Sequence, residues 1–193
     1  MGQTANQHHT GRQSMTSKLY LTDDQIKKGV HDILRQMSAD NWRPNYIVGI
    51  TRGGLIPAVL MSHYTGIKMH TLDVRLRDAD EQESNLWMST EAFGYEQNDY
   101  YDPAMGHYKK NPPNILLVDD INDTGATFDW IKNDWQSSCL PSDPKWDKVW
   151  HNNVRFATIV NNIASPFDVD YASIEINKAE ENTWVVFPYE EWW

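Results

Sequence analysis

Cysteine, basic residues and long apolar runs are scarce in this chain of 193 residues, and each scarcity excludes a class of protein. The one cysteine, Cys139, excludes an intrachain disulfide and is typical of a reducing compartment, so we expect a cytoplasmic protein. No apolar run approaches transmembrane length and the N-terminus has no apolar signal core, so no membrane partner is expected. A net charge of −10 argues against binding to nucleic acid or to an anionic membrane surface.

What remains is the composition of one globular domain. The length allows a sizeable core, and a hydrophobic content of 40% is ordinary. Residues 1–15 are polar and are expected to form a disordered leader, which leaves 16–193 as a single domain. Four Trp residues are close together after residue 129, and we expect them to serve the core and subunit contacts: Trp130, Trp135, Trp146 and Trp150.

Apolar strand-like segments alternate with helical patterns along the chain. The capping sequence at Thr22 opens a first helix that ends before Pro44, a second helix covers 54–64, and a third runs to about Ser138. The predicted strands are 46–50, 69–76, the run that begins at Ile115, 154–160 and 171–176. This alternation predicts an α/β fold with a mainly parallel sheet flanked by helices. Residues 77–113 show little periodicity and are expected to form a long loop.

The most informative segment is the strand that begins at Ile115 and the turn that follows it. Asp119 and Asp120 come where the apolar run ends. The turn that opens the next helix contains Asp123, Thr124, Gly125, Ala126 and Thr127. Unpaired amides and the positive end of a helix dipole face outward there and form a phosphate cradle. The two acids suit the vicinal hydroxyls of a sugar, so a sugar phosphate is the predicted ligand.

This pattern of strand, two acids and Asp-Thr-Gly-x-Thr resembles the motif of type I phosphoribosyltransferases, which bind phosphoribosyl pyrophosphate (PRPP). The resemblance covers about residues 20–78 and 114–190, and it is most similar to the xanthine-guanine and hypoxanthine branch. It implies that Asp119 and Asp120 bind the ribose hydroxyls directly or through Mg²⁺, with Asp123 as the general base facing N7 of the purine. It also implies a homodimer or homotetramer that uses PRPP and a free nucleobase.

Two further segments carry the same resemblance. Residues 47–58 are similar to the pyrophosphate loop, which implies that Arg52 and Gly53 hold pyrophosphate and that the Arg52–Gly53 peptide is cis. Arg75 or Arg77 is expected to add positive charge there. Residues 77–113 stand where the family has its flexible lid. The family's Ser-Tyr pair is missing at the lid's start, and Ser89-Thr90 or Tyr95 are the candidates to replace it.

The tail, residues 177–193, resembles the family's hood over the base. By this resemblance Trp184 stacks on the purine, Val185 binds the base through its backbone, and Glu190 joins Asp119 and Asp120 near the metal. Asn162 stands where the family has a lysine that donates to the 6-oxo group, and Lys178 is the alternative cation. Two other functions stay open: a non-catalytic PRPP or nucleotide sensor, and a pyrimidine phosphoribosyltransferase.

Overall fold

The computed structural model describes residues 17–74, 86–95 and 111–190. The strands are β1 (Ser17–Tyr20), β2 (Tyr46–Ile50), β3 (Lys68–Leu72), β4 (Ile115–Asn122), β5 (Val154–Asn162), β6 (Tyr171–Ile176) and β7 (Thr183–Val186). The helices are α1 (Asp23–Ala39), α2 (Leu55–Thr65), α3 (Leu86–Phe93), α4 (Ala126–Ser138) and a short 3-10 helix (Pro144–Lys148).

Five of the strands form one sheet in the order β3-β2-β4-β5-β6, and all four neighbouring pairs are parallel. Parallel neighbours require crossover connections, and helices provide most of them here. The predicted α/β fold with a mainly parallel sheet is therefore confirmed. The carboxyl ends of the strands meet at one edge, where α/β proteins bind their ligands.

The central strand β4 explains why helices cover both faces of the sheet. Leu116 and Val118 belong to one buried cluster with side chains of α1 and α2. Ile115 and Leu117 belong to a second cluster with side chains of α3 and α4. Because successive side chains of a strand point to opposite faces, a run of apolar residues needs a cover on each side.

The capping box at Thr22 and the burial of the tryptophans agree with the predictions. The side chain of Thr22 accepts a hydrogen bond from the backbone of Gln25, whose side chain accepts one from the backbone of Thr22, so a capping box opens α1. Trp135 and Trp146 are fully buried, and Trp146 stacks on Trp150 with ring centroids 5.2 Å apart. These tryptophans therefore serve the core, as expected.

The prediction of an uninterrupted loop over 77–113 is wrong for its middle part. Residues Leu86–Phe93 form α3, whose buried face packs on α4. Ser89 is completely buried and donates a hydrogen bond to the carbonyl of Trp135 at 2.6 Å. The Ser89 hydroxyl is therefore used in the core, which removes it as the replacement for the family's Ser-Tyr pair.

Several boundaries differ from the predicted ones. Strand β3 ends at Leu72 rather than at residue 76, while β4 continues to Asn122, so Asp119 and Asp120 lie inside the strand rather than after it. The parallel pair of β1 with β7 has no local sequence signal, because it joins segments more than 160 residues apart. The predicted leader and the side chains of Arg75 and Arg77 lie outside the described residues.

Among the helices of the described ranges, none has the length and apolar character needed to cross a membrane.

Candidate active site

Residues from four parts of the chain line one cleft of about 1480 Å³ at the carboxyl edge of the sheet. They come from the loop after β2 with the start of α2, from the segment after β3, from the end of β4 with the start of α4, and from the C-terminal segment. Eleven predicted site residues are in this lining: Arg52, Gly53, Asp119, Asp120, Asp123, Thr124, Gly125, Ala126, Thr127, Trp184 and Glu190. Two are not, Asn162 and Val185.

The turn before α4 has the geometry of an anion site. Gly125 is the N-cap residue in a left-handed conformation with φ 79°, and no side chain caps the helix. The Ala126 amide donates to the Thr124 hydroxyl at a long 3.5 Å, and the amides that follow it in the first turn of α4 are open to a ligand. A side chain at Gly125 would place its Cβ 2.5 Å from the Cβ of Phe167, so both the backbone angle and the packing require glycine.

The loop after β2 approaches strand β4 closely. An added Cβ at Gly54 would lie 2.3 Å from the carbonyl oxygen of Val118. The cis peptide expected in this loop is present, but the expected position is wrong by one residue, since the cis bond joins Thr51 to Arg52. The Thr51 hydroxyl donates to a carboxylate oxygen of Asp73 at 2.6 Å, which ties the loop to the end of β3.

The two adjacent acids of β4 have perturbed titration. Burial raises the pKa of Asp119 well above its usual range, and the neighbouring charge of Asp120 adds to the effect. Burial, with a smaller contribution from the charge of Glu190, raises the pKa of Asp120 to about 6. Acids held in such an environment are typical of functional sites.

The side chains that line the cleft carry mostly negative charge. Among its described lining residues, five are acidic and Arg52 is the one base. Carboxylate oxygens are suitable ligands for Mg²⁺, and a cation beside Asp119 and Asp120 would offset their mutual repulsion. Within the described ranges, however, no three His, Cys, Asp or Glu side chains are grouped to hold a metal ion. The residues therefore suit an ion that substrate oxygens and water also coordinate.

Asp123 forms an ion pair that brings a further residue to the site. The Lys178 ammonium lies 2.9 Å from a carboxylate oxygen of Asp123. The Lys178 side chain is 19% exposed and that of Asp123 is 45% exposed. Lys178 belongs to the connection between β6 and β7, so the chain delivers this lysine from a loop rather than from the end of β5.

Asn162 lies beside the cleft with its amide group occupied. Its side chain donates to the carbonyl of Asp123 at 2.8 Å and accepts from the amides of Ala164 and Lys178 at 3.2 and 3.0 Å. Asn162 is also buried, with 6% exposure. The expectation that Asn162 contacts the base therefore has no support in this geometry, which gives the residue a role within the protein.

The C-terminal segment contributes Trp184, Tyr189 and Glu190 to the cleft lining, and Val185 is not part of it. Trp184 is 56% exposed in the cleft, while the Val185 side chain is buried. Ser17 donates to the carbonyl of Asn182 and Leu21 to that of Val186, so the backbone groups of even-numbered residues in β7 face β1. The backbone groups of Val185 consequently face the opposite edge of β7, which pairs with no strand in the described part of the chain.

Three lining residues of this region are not among the predicted site residues. Tyr189 lines the cleft, and its hydroxyl lies 3.5 Å from Oδ2 of Asp120. Asp73 and Thr51 also line the cleft. The positions of Thr51 and Asp73 follow from the parallel sheet order, which places the end of β3 beside the loop after β2, and the sequence alone does not predict a strand order.

Comparison with known proteins places this geometry in a family context. The family model described as phosphoribosyl transferase domain matches residues 19–191. A xanthine-guanine phosphoribosyltransferase of Cereibacter sphaeroides (strain ATCC 17025 / ATH 2.4.3) is 24% identical over 151 residues, covering 78% of this chain and 72% of that protein.

Solved structures give the same fold. A purine phosphoribosyltransferase from Pyrococcus horikoshii Ot3 superposes with a TM-score of 0.59 at 22% identity, covering 91% of this chain and 95% of that one. A Helicobacter pylori xanthine-guanine-hypoxanthine phosphoribosyltransferase gives 0.58 at 16% identity, covering 90% and 93%. At these identities the likeness establishes the architecture, and the chemistry must be argued from the site.

Proposed function

The chain belongs to the phosphoribosyl transferase family, and from this membership we propose that it transfers the 5-phosphoribosyl group of PRPP to a purine base. The products are a nucleoside 5′-monophosphate and pyrophosphate, as in purine salvage. One observation carries the proposal: the phosphate cradle, the paired acids and an exposed tryptophan line the same cleft. A nucleotide consists of a phosphate, a sugar and a planar base, and a nucleotide site must bind all three.

The cradle binds the 5′-phosphate of PRPP, and the loop after β2 binds its pyrophosphate. Residues 123–127 take the 5′-phosphate through the open amides of α4. Arg52 and Gly53 take the pyrophosphate, the former through a guanidinium suited to phosphate oxygens and the latter through close backbone approach. Asp119 and Asp120, between these loops, face the ribose hydroxyls.

The reaction forms a bond between a ring nitrogen of the base and C1′ of the ribose as the bond from C1′ to pyrophosphate breaks. Positive charge develops on the sugar, and the carboxylates of the cleft stabilise it. Asp123 accepts the proton that the base loses. Trp184 stacks on the ring of the base, and the unpaired edge of β7 offers the backbone of Val185 to its polar edge.

The ion pair of Asp123 with Lys178 favours a 6-oxopurine as the base. An ammonium group only donates hydrogen bonds, so it suits the 6-oxo group of hypoxanthine, guanine or xanthine and opposes the 6-amino group of adenine. Lys178 thus supplies the cation that Asn162 does not. The adjacent Asp123 carboxylate accepts from a ring N–H on the same edge of the base.

We also propose dependence on Mg²⁺, which Asp119 and Asp120, with Glu190 nearby, would hold together with oxygens of PRPP and water, since these acids alone form no grouped metal site in the described ranges. When bound, the ion supplies positive charge that neutralises the leaving pyrophosphate. The raised pKa values of the two aspartates and the acidic lining of the cleft support this assignment.

Two further properties complete the proposal. The single buried thiol of Cys139 fits a cytoplasmic protein. A homodimer or homotetramer is supported by α2, where Val59 and Tyr64 are exposed outside the cleft lining. A helix that is apolar on its outer face as well as its inner one is typically covered by another chain. Sedimentation velocity measures this assembly directly.

The first experiment offers PRPP and Mg²⁺ with hypoxanthine, guanine, xanthine, adenine, orotate and uracil in separate reactions and measures nucleotide formation. Turnover with one or more 6-oxopurines is expected. Turnover with orotate or uracil alone would replace the proposal with a pyrimidine enzyme. Tight PRPP binding without turnover of any base would replace it with a sensor on the same fold.

A further inference from the structure

One amide side chain beside the cleft connects three separate segments. Asn162, the last residue of β5, donates to the carbonyl of Asp123 in the cradle turn. Its Oδ1 accepts from Ala164 in the turn after β5 and from Lys178 in the β6–β7 connection. All three distances lie between 2.8 and 3.2 Å, and the side chain is buried.

The segments that Asn162 joins carry opposite charges. Asp123 and Lys178 are each hydrogen-bonded to Asn162 through their backbone, and their side chains meet at 2.9 Å. Asp123, Asn162 and Lys178 are therefore linked in a closed cycle: each charged residue is hydrogen-bonded to Asn162 through its backbone, and the two charged side chains form an ion pair with each other. A surface ion pair between two loops is weak by itself, whereas one whose two backbones are fixed is held in register.

We propose that Asn162 is a positioning residue for base recognition, which fixes the backbones of Asp123 and Lys178 so that their charged side chains meet beside the cleft. This inference rests on the proposed function, because it assigns Asp123 and Lys178 to the base. Asn162 does not touch the base in this assignment and acts through the other two residues.

The arrangement also explains why this position holds a neutral amide. A lysine here would donate to the Asp123 carbonyl but would offer no acceptor to the amides of Ala164 and Lys178. It would also bring a second ammonium group beside Lys178. The asparagine side chain has both an NH₂ donor group and an acceptor oxygen with two lone pairs, so it can make all three hydrogen bonds observed, which a lysine cannot.

The test is a double-mutant cycle between Asn162→Ala and Lys178→Met, read as kcat/KM for the best 6-oxopurine at saturating PRPP. Loss of a buried hydrogen-bonding group is expected to lower this value by about tenfold to a hundredfold when Lys178 is present. With Lys178→Met already in place, the same change is expected to cost less than about threefold. Equal losses in both backgrounds would overturn the inference.

Two further measurements test whether the effect of Asn162 is specific to base binding. The KM for PRPP is expected to change by less than about threefold in Asn162→Ala, because the cradle amides of α4 are not among the partners of Asn162. Asn162→Lys is expected to lose activity as well. A lower KM for the 6-oxopurine in Asn162→Lys would show direct contact with the base and would overturn the positioning role.

Asn153 provides the matched control. It is buried to a similar degree, precedes the same strand, and donates to the carbonyls of Ala92 and Pro113 at 2.9 and 3.3 Å. Asn153→Ala should lower the melting temperature without changing the ranking of bases.

If Asn162→Ala fails to fold, Asn162→Asp keeps the acceptor and removes the donor to Asp123. It should lower kcat/KM for the base while PRPP affinity is retained, and unchanged kcat/KM would overturn the inference.

Failure of the proposed function gives a different result. If the wild-type chain turns over no base, the same cycle is measured as the affinity for guanosine 5′-monophosphate by calorimetry. Coupling between Asn162 and Lys178 in that affinity would support the positioning role although the enzyme assignment fails. Active wild type with no coupling would overturn the positioning role alone.

Discussion

A methyl group added to Gly53 would lie 1.9 Å from Oδ2 of Asp120. The loop after β2 thus rests directly on one of the two acids of β4, and no side chain fits between them. The carboxylate of Asp120 also has the Tyr189 hydroxyl 3.5 Å away. Asp120 is therefore the point at which the loop after β2, strand β4 and the C-terminal segment meet.

Gly53→Ala is expected to abolish most of the activity, because either the loop or the Asp120 carboxylate must move by more than an ångström. A displacement of that size at a reacting centre costs on the order of a hundredfold in rate. The measurement is kcat/KM for PRPP. Gly66→Ala is the control: Gly66 has φ 69° at the end of α2, and an added Cβ there meets nothing within 4 Å. It should cost about 1 kcal/mol of stability and leave kcat/KM unchanged.

Asp120→Asn is expected to abolish activity and to raise the melting temperature of the free protein at pH 7.5. Burial raises the pKa of Asp120 to about 6 in the fold, so the folded state disfavours the ionised form that the unfolded chain prefers. The destabilisation is absent below the ordinary pKa of an aspartate and develops fully as the pH rises through about 6.

The neutral amide of Asp120→Asn removes this destabilisation. We expect a gain on the order of 1–2 kcal/mol, which corresponds to about 2–8 °C in a chain of this size. The gain should be largest at pH 7.5 and should vanish near pH 4, as followed by differential scanning calorimetry without ligand. An equal gain at both pH values would contradict the titration of Asp120 as its cause.

Asp123→Asn is expected to lower kcat far more than it weakens PRPP binding. The substitution keeps the shape of the side chain but removes the proton acceptor, a contribution of typically about 10²- to 10⁴-fold. The cradle amides belong to the backbone and remain available, so the dissociation constant of PRPP should change little. Calorimetric titration with PRPP and steady-state kinetics measure the two quantities, and full activity in Asp123→Asn would refute the general-base assignment.

The parts of the site that are local in sequence can be predicted from it. The conformation of a five-residue turn after an apolar strand is determined mainly by its own residues. The sequence pattern alone therefore identifies residues 123–127 and the paired acids. The same holds for the capping box at Thr22, which spans four residues. Short-range hydrogen bonds and helix periodicity depend little on the rest of the chain.

The parts that depend on distant segments are the ones that the sequence predicts incorrectly or not at all. Alignment with a lysine predicts that Asn162 contacts the base, and nothing in the local sequence predicts its hydrogen bonds to backbones 16 and 39 residues away. Helix α3 has only eight residues, too few for a helical period to be distinct in the sequence, and packing on α4 stabilises it. Intrinsic propensity is a weak guide when tertiary packing decides the structure.

Trp184→Ala is expected to raise the KM for the base by about tenfold or more while the melting temperature stays within about 2 °C. Trp184 is 56% exposed, so it contributes little to the core. Stacking of a base on an aromatic ring contributes about 1–3 kcal/mol, which sets the expected change. Trp87, 45% exposed on α3 and outside the cleft lining, is the matched control, since Trp87→Ala should leave the KM for the base unchanged. Equal effects of the two substitutions would show that Trp184 acts through the fold, and the assignment of the C-terminal segment to the base would then be wrong.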